Sequence, residues 1–156
     1  MSRAIDAILL DALENQARSS PRARQHLNLH RDYGDPCQRF LNAVLSHSYI
    51  RPHRHASDPK VETLFALRGK LGVITFDDVG AVQSTTILSH DDGGASGIEL
   101  ASDEWHTAIA LSSSAVILEM KAGPFNPGAA KEIAPWAPPE NSAEAPAYLE
   151  MLRLRF

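Results

Sequence analysis

One cysteine, Cys37, stands among 156 residues, so no intramolecular disulfide framework can staple this chain, and the composition fits a reducing compartment. Positive charge is not in surplus: fifteen Lys and Arg against nineteen Asp and Glu give a formal charge of −4, which argues against a general binder of DNA or RNA. No apolar run approaches the ~18 residues of a membrane span. The first twenty residues interrupt their apolar stretch with Asp6, Asp11 and Glu14 and end without a small-residue cleavage site, unlike a secretory leader. A phosphate-cradling glycine loop is missing too, since Gly93-Gly94 and Gly97 have neither a following Lys-Ser/Thr nor a strand–helix setting. These absences predict a cytoplasmic protein that takes neither nucleic acid nor membrane as partner. At this length a single domain is expected, able to bury roughly 70% of its unfolded surface without staples.

What is present changes along the chain. Residues 3–18 have Ile5, Ile8, Leu9, Ala12 and Leu13 at three- and four-residue spacing, which predicts an amphipathic helix capped by Ser2 and stopped at Ser19-Ser20-Pro21. Arg22 to Asp35, polar and arginine-rich, reads as a solvated connector. From Cys37 to Lys121 short apolar runs alternate with turn residues, predicting strands at Arg39–Leu45, Ser48–His55, Glu62–Arg68, Lys70–Phe76, Val82–Leu88, Gly97–Leu100, His106–Leu111 and Ala115–Lys121. Strands so evenly spaced over about 85 residues indicate a mainly β fold, a small antiparallel sandwich or barrel. Beyond Gly123 the chain holds six of its ten prolines and reads as a wrap, closed by a short helix around Pro146–Arg153. The expected units are thus 1–36 (helix and connector), 37–122 (β-barrel) and 123–156 (Pro-rich extension).

Seven histidines are present, and their placement matters more than their number. In Arg51-Pro52-His53-Arg54-His55 two imidazoles at i and i+2 on a strand face the same way. Glu62 opens the next strand and can return a carboxylate beside them, and Gly69 ends that strand in a turn. His106, after Trp105, opens a strand in the second half and would meet the trio if the sheet closes on itself. Imidazoles with one hard oxygen suit a single divalent transition metal, with Fe(II), Mn(II), Ni(II) and Zn(II) all acceptable. His47 and His90 read as loop or surface residues, His30 as a candidate for the rim of the site, and Cys37 as a small buried apolar residue rather than a nucleophile.

The spacing His53-x-His55, six residues, Glu62, six residues, Gly69 resembles the first cupin motif. Ala101-Ser102-Asp103-Glu104-Trp105-His106 stands where cupins usually have Pro-x-Gly-x-x-His, and Ala110 where many carry Asn. A wider resemblance, to WbuC-type cupin-fold metalloproteins found among bacterial surface-polysaccharide genes, rests on five segments: Gln38–Ala43, Ser48–His55, Glu104–Thr107, Glu119–Phe125 and Trp136–Glu140. That resemblance implies a cupin-type jelly-roll barrel holding a metal, a saccharide context and, by analogy, a homodimer.

Strand alternation would turn Tyr49 and Arg51 to the same side as His53 and His55, making them catalytic candidates, with Arg51 clamping an anionic group. The alternative packs Tyr49 in the core and leaves Arg51 at the mouth. Glu119 and Lys121 share a face of the last strand, either as a polar wall or as a wet outer surface, and Gln38, Arg39 and Asn42 are open in the same way. The rings of the Gly123–Pro127 and Trp136–Pro139 segments read as edge protection rather than a cover for the site. Three histidines and a carboxylate leave positions for a small sugar-like or anionic molecule. The expected activity is isomerase- or epimerase-like, in surface-polysaccharide biosynthesis, through a polarised carbonyl and an enediolate. The alternatives are an Fe-dependent dioxygenase or a non-catalytic metabolite- or sugar-binding cupin.

Overall fold

The computed structural model describes residues 2–156 and is mainly β, with a short helix near each end. Helix α1 (Ala7–Ser19) is followed by β1 (Arg24–Asn28), β2 (Cys37–Leu45), β3 (His53–Arg54), β4 (Glu62–Arg68), β5 (Lys70–Phe76), β6 (Val82–Ser89), β7 (Gly97–Leu100), β8 (Trp105–Ala110), β9 (Ser114–Ala122), β10 (Glu132–Ile133) and α2 (Ala145–Arg153). Two five-stranded antiparallel sheets face each other, in the orders β1-β2-β9-β4-β7 and β10-β3-β8-β5-β6, the jelly-roll arrangement expected of a cupin.

The bounds of β4 and β5 coincide with expectation because the turns around them demand their residues. Gly69 has φ +70°, and a Cβ there would stand 2.4 Å from the Ser114 carbonyl oxygen, so both conformation and space call for glycine. After β5, the Asp77 carboxylate accepts the Val79 and Ala81 N–H groups at 3.0 and 2.7 Å and closes the turn.

Elsewhere the structure departs from the sequence reading. Helix α1 starts later, because Asp6 rather than Ser2 caps it by accepting the Leu9 N–H at 3.0 Å. The polar connector contains an edge strand, β1, paired along its whole length with β2. The long strand expected over Ser48–His55 is reduced to His53–Arg54, since Pro52 has no N–H to give a ladder. The Pro-rich extension contributes β10, which pairs with β3. The sheets therefore draw strands from both sides of the expected 37–122 barrel. Cys37 is exposed at the start of β2, not buried, while His47 and His90 are exposed as expected.

Three apolar clusters order the molecule. Between the sheets, Val44, Leu64, Ala66, Leu71, Val73, Ala108, Ala110, Ala115 and Ile117 fill one end of the barrel. The outer face of the first sheet is covered by α1 through Leu10, Leu13 and Ala17, against Leu41, Ala43 and Val116. The outer face of the second is covered by the C-terminal extension and α2, where Leu149 and Leu152 meet Ile74, Phe76, Trp105 and Ile109. With both faces covered, every residue of β8 is buried, which is why Trp105–Ala110 shows no polar alternation.

Candidate metal centre

Along the inward faces, residues change character from one barrel end to the other. In β9 the series is Ala115, Ile117, Glu119, Lys121; in β8, read backwards, Ala110, Ala108, His106; in β4, likewise, Ala66, Leu64, Glu62. Period-two alternation keeps each series on one face. Its polar half surrounds a cavity of about 250 Å³.

At the base of that cavity His53, His55, Glu62 and His106 each present one ligand-type atom, all within 4.8 Å of one another. His53 on β3 sits in register with His106 on β8, their ring centres 4.7 Å apart. His55 follows β3, anchored where its N–H donates to the Ser102 carbonyl at 2.8 Å. Glu62 comes across from the other sheet, its Oε2 lying 3.3 Å from His55 Nε2 and 3.2 Å from His106 Nε2. Exposure of His55, Glu62 and His106 is 3%, 4% and 2%.

The backbone sets which ring nitrogen is free. The Nδ1 atoms of His53, His55 and His106 lie 3.0, 2.7 and 2.9 Å from the carbonyls of Arg51, Ala130 and Glu104. A carbonyl only accepts, so each Nδ1 carries the proton and each Nε2 is left with a lone pair. Those lone pairs face one another and a carboxylate oxygen, and His106 Nε2 is buried without any hydrogen-bond partner. Acceptors gathered without a donor repel unless a cation lies among them. The donor set thus fits a divalent transition metal, with the outer-nitrogen hydrogen bonds that orient such ligands.

Electrostatics agree with that assignment. Burial alone would raise the Glu62 carboxyl, but the Lys121 ammonium, 2.6 Å from Oε1, holds it well below the usual carboxylate range. Burial, with help from His106 and Lys131, keeps His53 from protonating until well below the ordinary imidazole range. Higher on the wall, burial and the neighbouring Glu62 push Glu119 up to about 7, although Asn42 Nδ2 donates to its Oε1 at 2.7 Å. Glu119 and Lys121 therefore form a polar wall of the cavity rather than a wet outer face.

Tyr49 and Arg51 do not line this cavity. Their expected alternation fails because the chain before Pro52 is not a strand. Tyr49 is buried on the far side of the second sheet, its hydroxyl donating to the Pro138 carbonyl at 3.0 Å, and burial pushes its phenol up. Arg51 Nη2 donates to the Ala134 carbonyl at 2.9 Å. Sequence reasoning missed the opposite wall. Arg24 and His26 on β1, and Lys131 in the extension, all line the cavity, as does His30. Arg24, His26 and Asn28 carry a period-two signal that their polarity conceals; Lys131 carries none. Phe125, packed on Tyr33 with centres 5.0 Å apart, lines the cavity instead of only guarding an edge. No described helix is long and apolar enough to cross a membrane.

Solved structures share this architecture at low identity. Protein SO0799 from Shewanella oneidensis matches with a TM-score of 0.61, 13% identity and 85% of each chain covered. Rru_A2000 from Rhodospirillum rubrum, described as a cupin-2 domain, matches at 0.57 and 14%, over 86% of this chain and 84% of that one. KdgF from Halomonas sp. matches at 0.52 and 14%, over 69% and 84%. These likenesses show a cupin fold. No curated protein matches the sequence. Residues 5–88, more than half of the chain, match the family described as a domain of unknown function (DUF6016), and the chain belongs to that family.

Proposed function

We propose that this cupin binds one divalent transition metal through His53, His55, Glu62 and His106 and acts as a small isomerase- or epimerase-like enzyme on a sugar or other oxygen-rich metabolite. The observation that carries the metal assignment is the convergence of three imidazole Nε2 lone pairs, each fixed by a backbone carbonyl on Nδ1, with a carboxylate oxygen. When bound, the ion supplies Lewis acidity toward a ligand oxygen, and Fe, Mn, Ni and Zn all suit the donor set.

The chain's own residues supply the rest. Glu119, with its carboxyl near 7, can accept and return a proton at its oxygens, as isomerisation or epimerisation next to a carbonyl requires. Lys121 keeps Glu62 ionised. Tyr33 and Phe125 add an aromatic side to the same cavity. The WbuC-type reading, with its surface-polysaccharide role, cytoplasmic setting and homodimer, is supported by the residue resemblance, and sedimentation of the purified protein tests the dimer.

Elemental analysis of tag-free protein tests the metal reading. His55→Ala and Glu62→Ala are expected to lower metal content about tenfold or more while the circular dichroism of the fold persists; full retention in both variants overturns the assignment. Turnover is read by deuterium incorporation next to the carbonyl of candidate sugars in heavy water, and Glu119→Gln is expected to slow it about a hundredfold or more.

A further inference from the structure

We infer that the cavity is built for a hydroxylated oxyanion, a sugar acid or sugar phosphate, with His30 and Asn42 reading a hydroxyl and Lys131 holding the charged end. The inference deepens the proposed function by naming the class of molecule, and it rests on the reading of the cavity as a small-molecule site.

Two buried side chains on the cavity wall have an unused hydrogen-bonding atom. His30 is 7% exposed and its Nε2 has no partner. His30 Nδ1 lies between the Arg39 carbonyl at 2.8 Å and the Arg39 N–H at 3.1 Å, so Arg39 occupies that nitrogen whichever tautomer the ring takes. In either tautomer Nε2 is left over, as a donor or as an acceptor. Asn42 is 3% exposed; its amide nitrogen is committed to Glu119 and its Oδ1 has no partner. Buried donors and acceptors left unpaired are costly, so such a pair marks where a ligand completes the wall. A hydroxyl both accepts and donates, so the several hydroxyls of a sugar-like molecule suit His30 Nε2 in either tautomer as well as the accepting Asn42 Oδ1.

Charge gives the second half of the argument. The lining includes Arg22, Arg24, Lys121 and Lys131 against only Glu62 and Glu119. Glu140 pairs with both arginines, at 3.3 and 2.7 Å, and Glu62 with Lys121. Among the described residues Lys131 has no ion pair. Burial, Arg22, Arg24 and Lys121 lower its ammonium against the opposing pull of Glu140, as expected for a cation among cations. An oxyanion relieves that repulsion; a neutral sugar does not. At about 250 Å³ the space falls below the ~300–1,000 Å³ of drug-sized pockets, which suits one monosaccharide-sized molecule.

The test is calorimetric titration of tag-free, metal-reconstituted protein with D-gluconate, D-gluconate 6-phosphate and the uncharged D-glucitol, in phosphate-free buffer. At least one acid is expected to bind about tenfold tighter than D-glucitol, the value of one charge-assisted hydrogen bond, and the two acids separate carboxylate from phosphate recognition. Lys131→Met is expected to erase that preference without altering metal content. Asn42→Leu is expected to weaken acids and D-glucitol alike. Equal binding of acids and D-glucitol, absence of acid binding by metal-loaded protein, or an unchanged preference in Lys131→Met overturns the inference. Acid binding by a protein that takes up no metal on reconstitution refutes the metal reading and leaves this one standing.

Discussion

Glu119 shows how one side chain can report on the site without any substrate. Its ordinary value is 4.5, and burial beside Glu62 moves it to about 7. Between those values the folded chain holds a proton that the unfolded chain has released. Its contribution to stability is therefore complete below pH 4.5 and drains away as pH rises through 7. Glu119→Gln keeps an oxygen for the Asn42 amide and cannot ionise. In metal-free protein the variant is expected to melt a few degrees above the parent at alkaline pH, with the gap closing toward pH 4.5. Melting curves across that range check it, and a gap independent of pH would show that the carboxyl is ordinary. The same residue illustrates what the sequence could not decide. Glu119 and Lys121 share one strand face, but whether that face looks inward depends on a partner strand, β4, fifty residues away in the chain.

Between elements, the tie that matters most joins β1 to the C-terminal extension. The Arg24 side chain is only 5% exposed, and its Nη2 donates to both Glu140 oxygens at 2.7 Å; Nη1 donates to the Tyr49 carbonyl at 3.1 Å. Removing Glu140 strands a buried guanidinium, which costs on the order of 3 kcal/mol for a pair of this kind. Glu140→Ala is expected to lower the melting temperature by several degrees and to open the extension to protease before the barrel unfolds, whereas Arg24→Met, which leaves Glu140 paired with the exposed Arg22, is expected to cost less. Unchanged proteolysis in Glu140→Ala would refute the tie. Neither partner was legible in the sequence. A charged edge strand shows a muted alternation, and the two-residue strand β10 has too few positions to show any. By contrast β4, β5 and β7 were readable to the residue, since Gly69 and the Asp77 turn fix where strands stop. His53, His55, Glu62 and Gly69 were legible as a spacing, while His106 could be placed opposite them only by a fold. For Tyr49 and Arg51 the inward placement carried the alternation through Pro52, where the strand is broken, and Tyr49 packs in the core as the alternative had it.

Across the whole molecule, the cluster is where three parts of the fold meet. His53 and His106 belong to one sheet and Glu62 to the other, while the His55 ring is oriented by Ala130 of the extension. An ion held there links both sheets and the wrap, so its release is expected to loosen all three together. Protons are the natural competitor, because ligating imidazoles have to be neutral. His53 resists protonation to well below its ordinary value of 6.5, chiefly through burial. Metal content measured after dialysis is thus expected to hold through pH 6.5 and to fall only at clearly lower pH. The metal-free protein behaves differently in the same window. There the unfolded chain takes up a proton that folded His53 refuses, so stability declines as pH drops below 6.5 and continues to decline toward the folded value. Release and loosening are then expected to coincide, with amide exchange rising in β3, in β10 and around Ala130 at the pH where the ion leaves. Loss of metal already above pH 6.5, or full loading in strong acid, would contradict a site made of three neutral imidazoles.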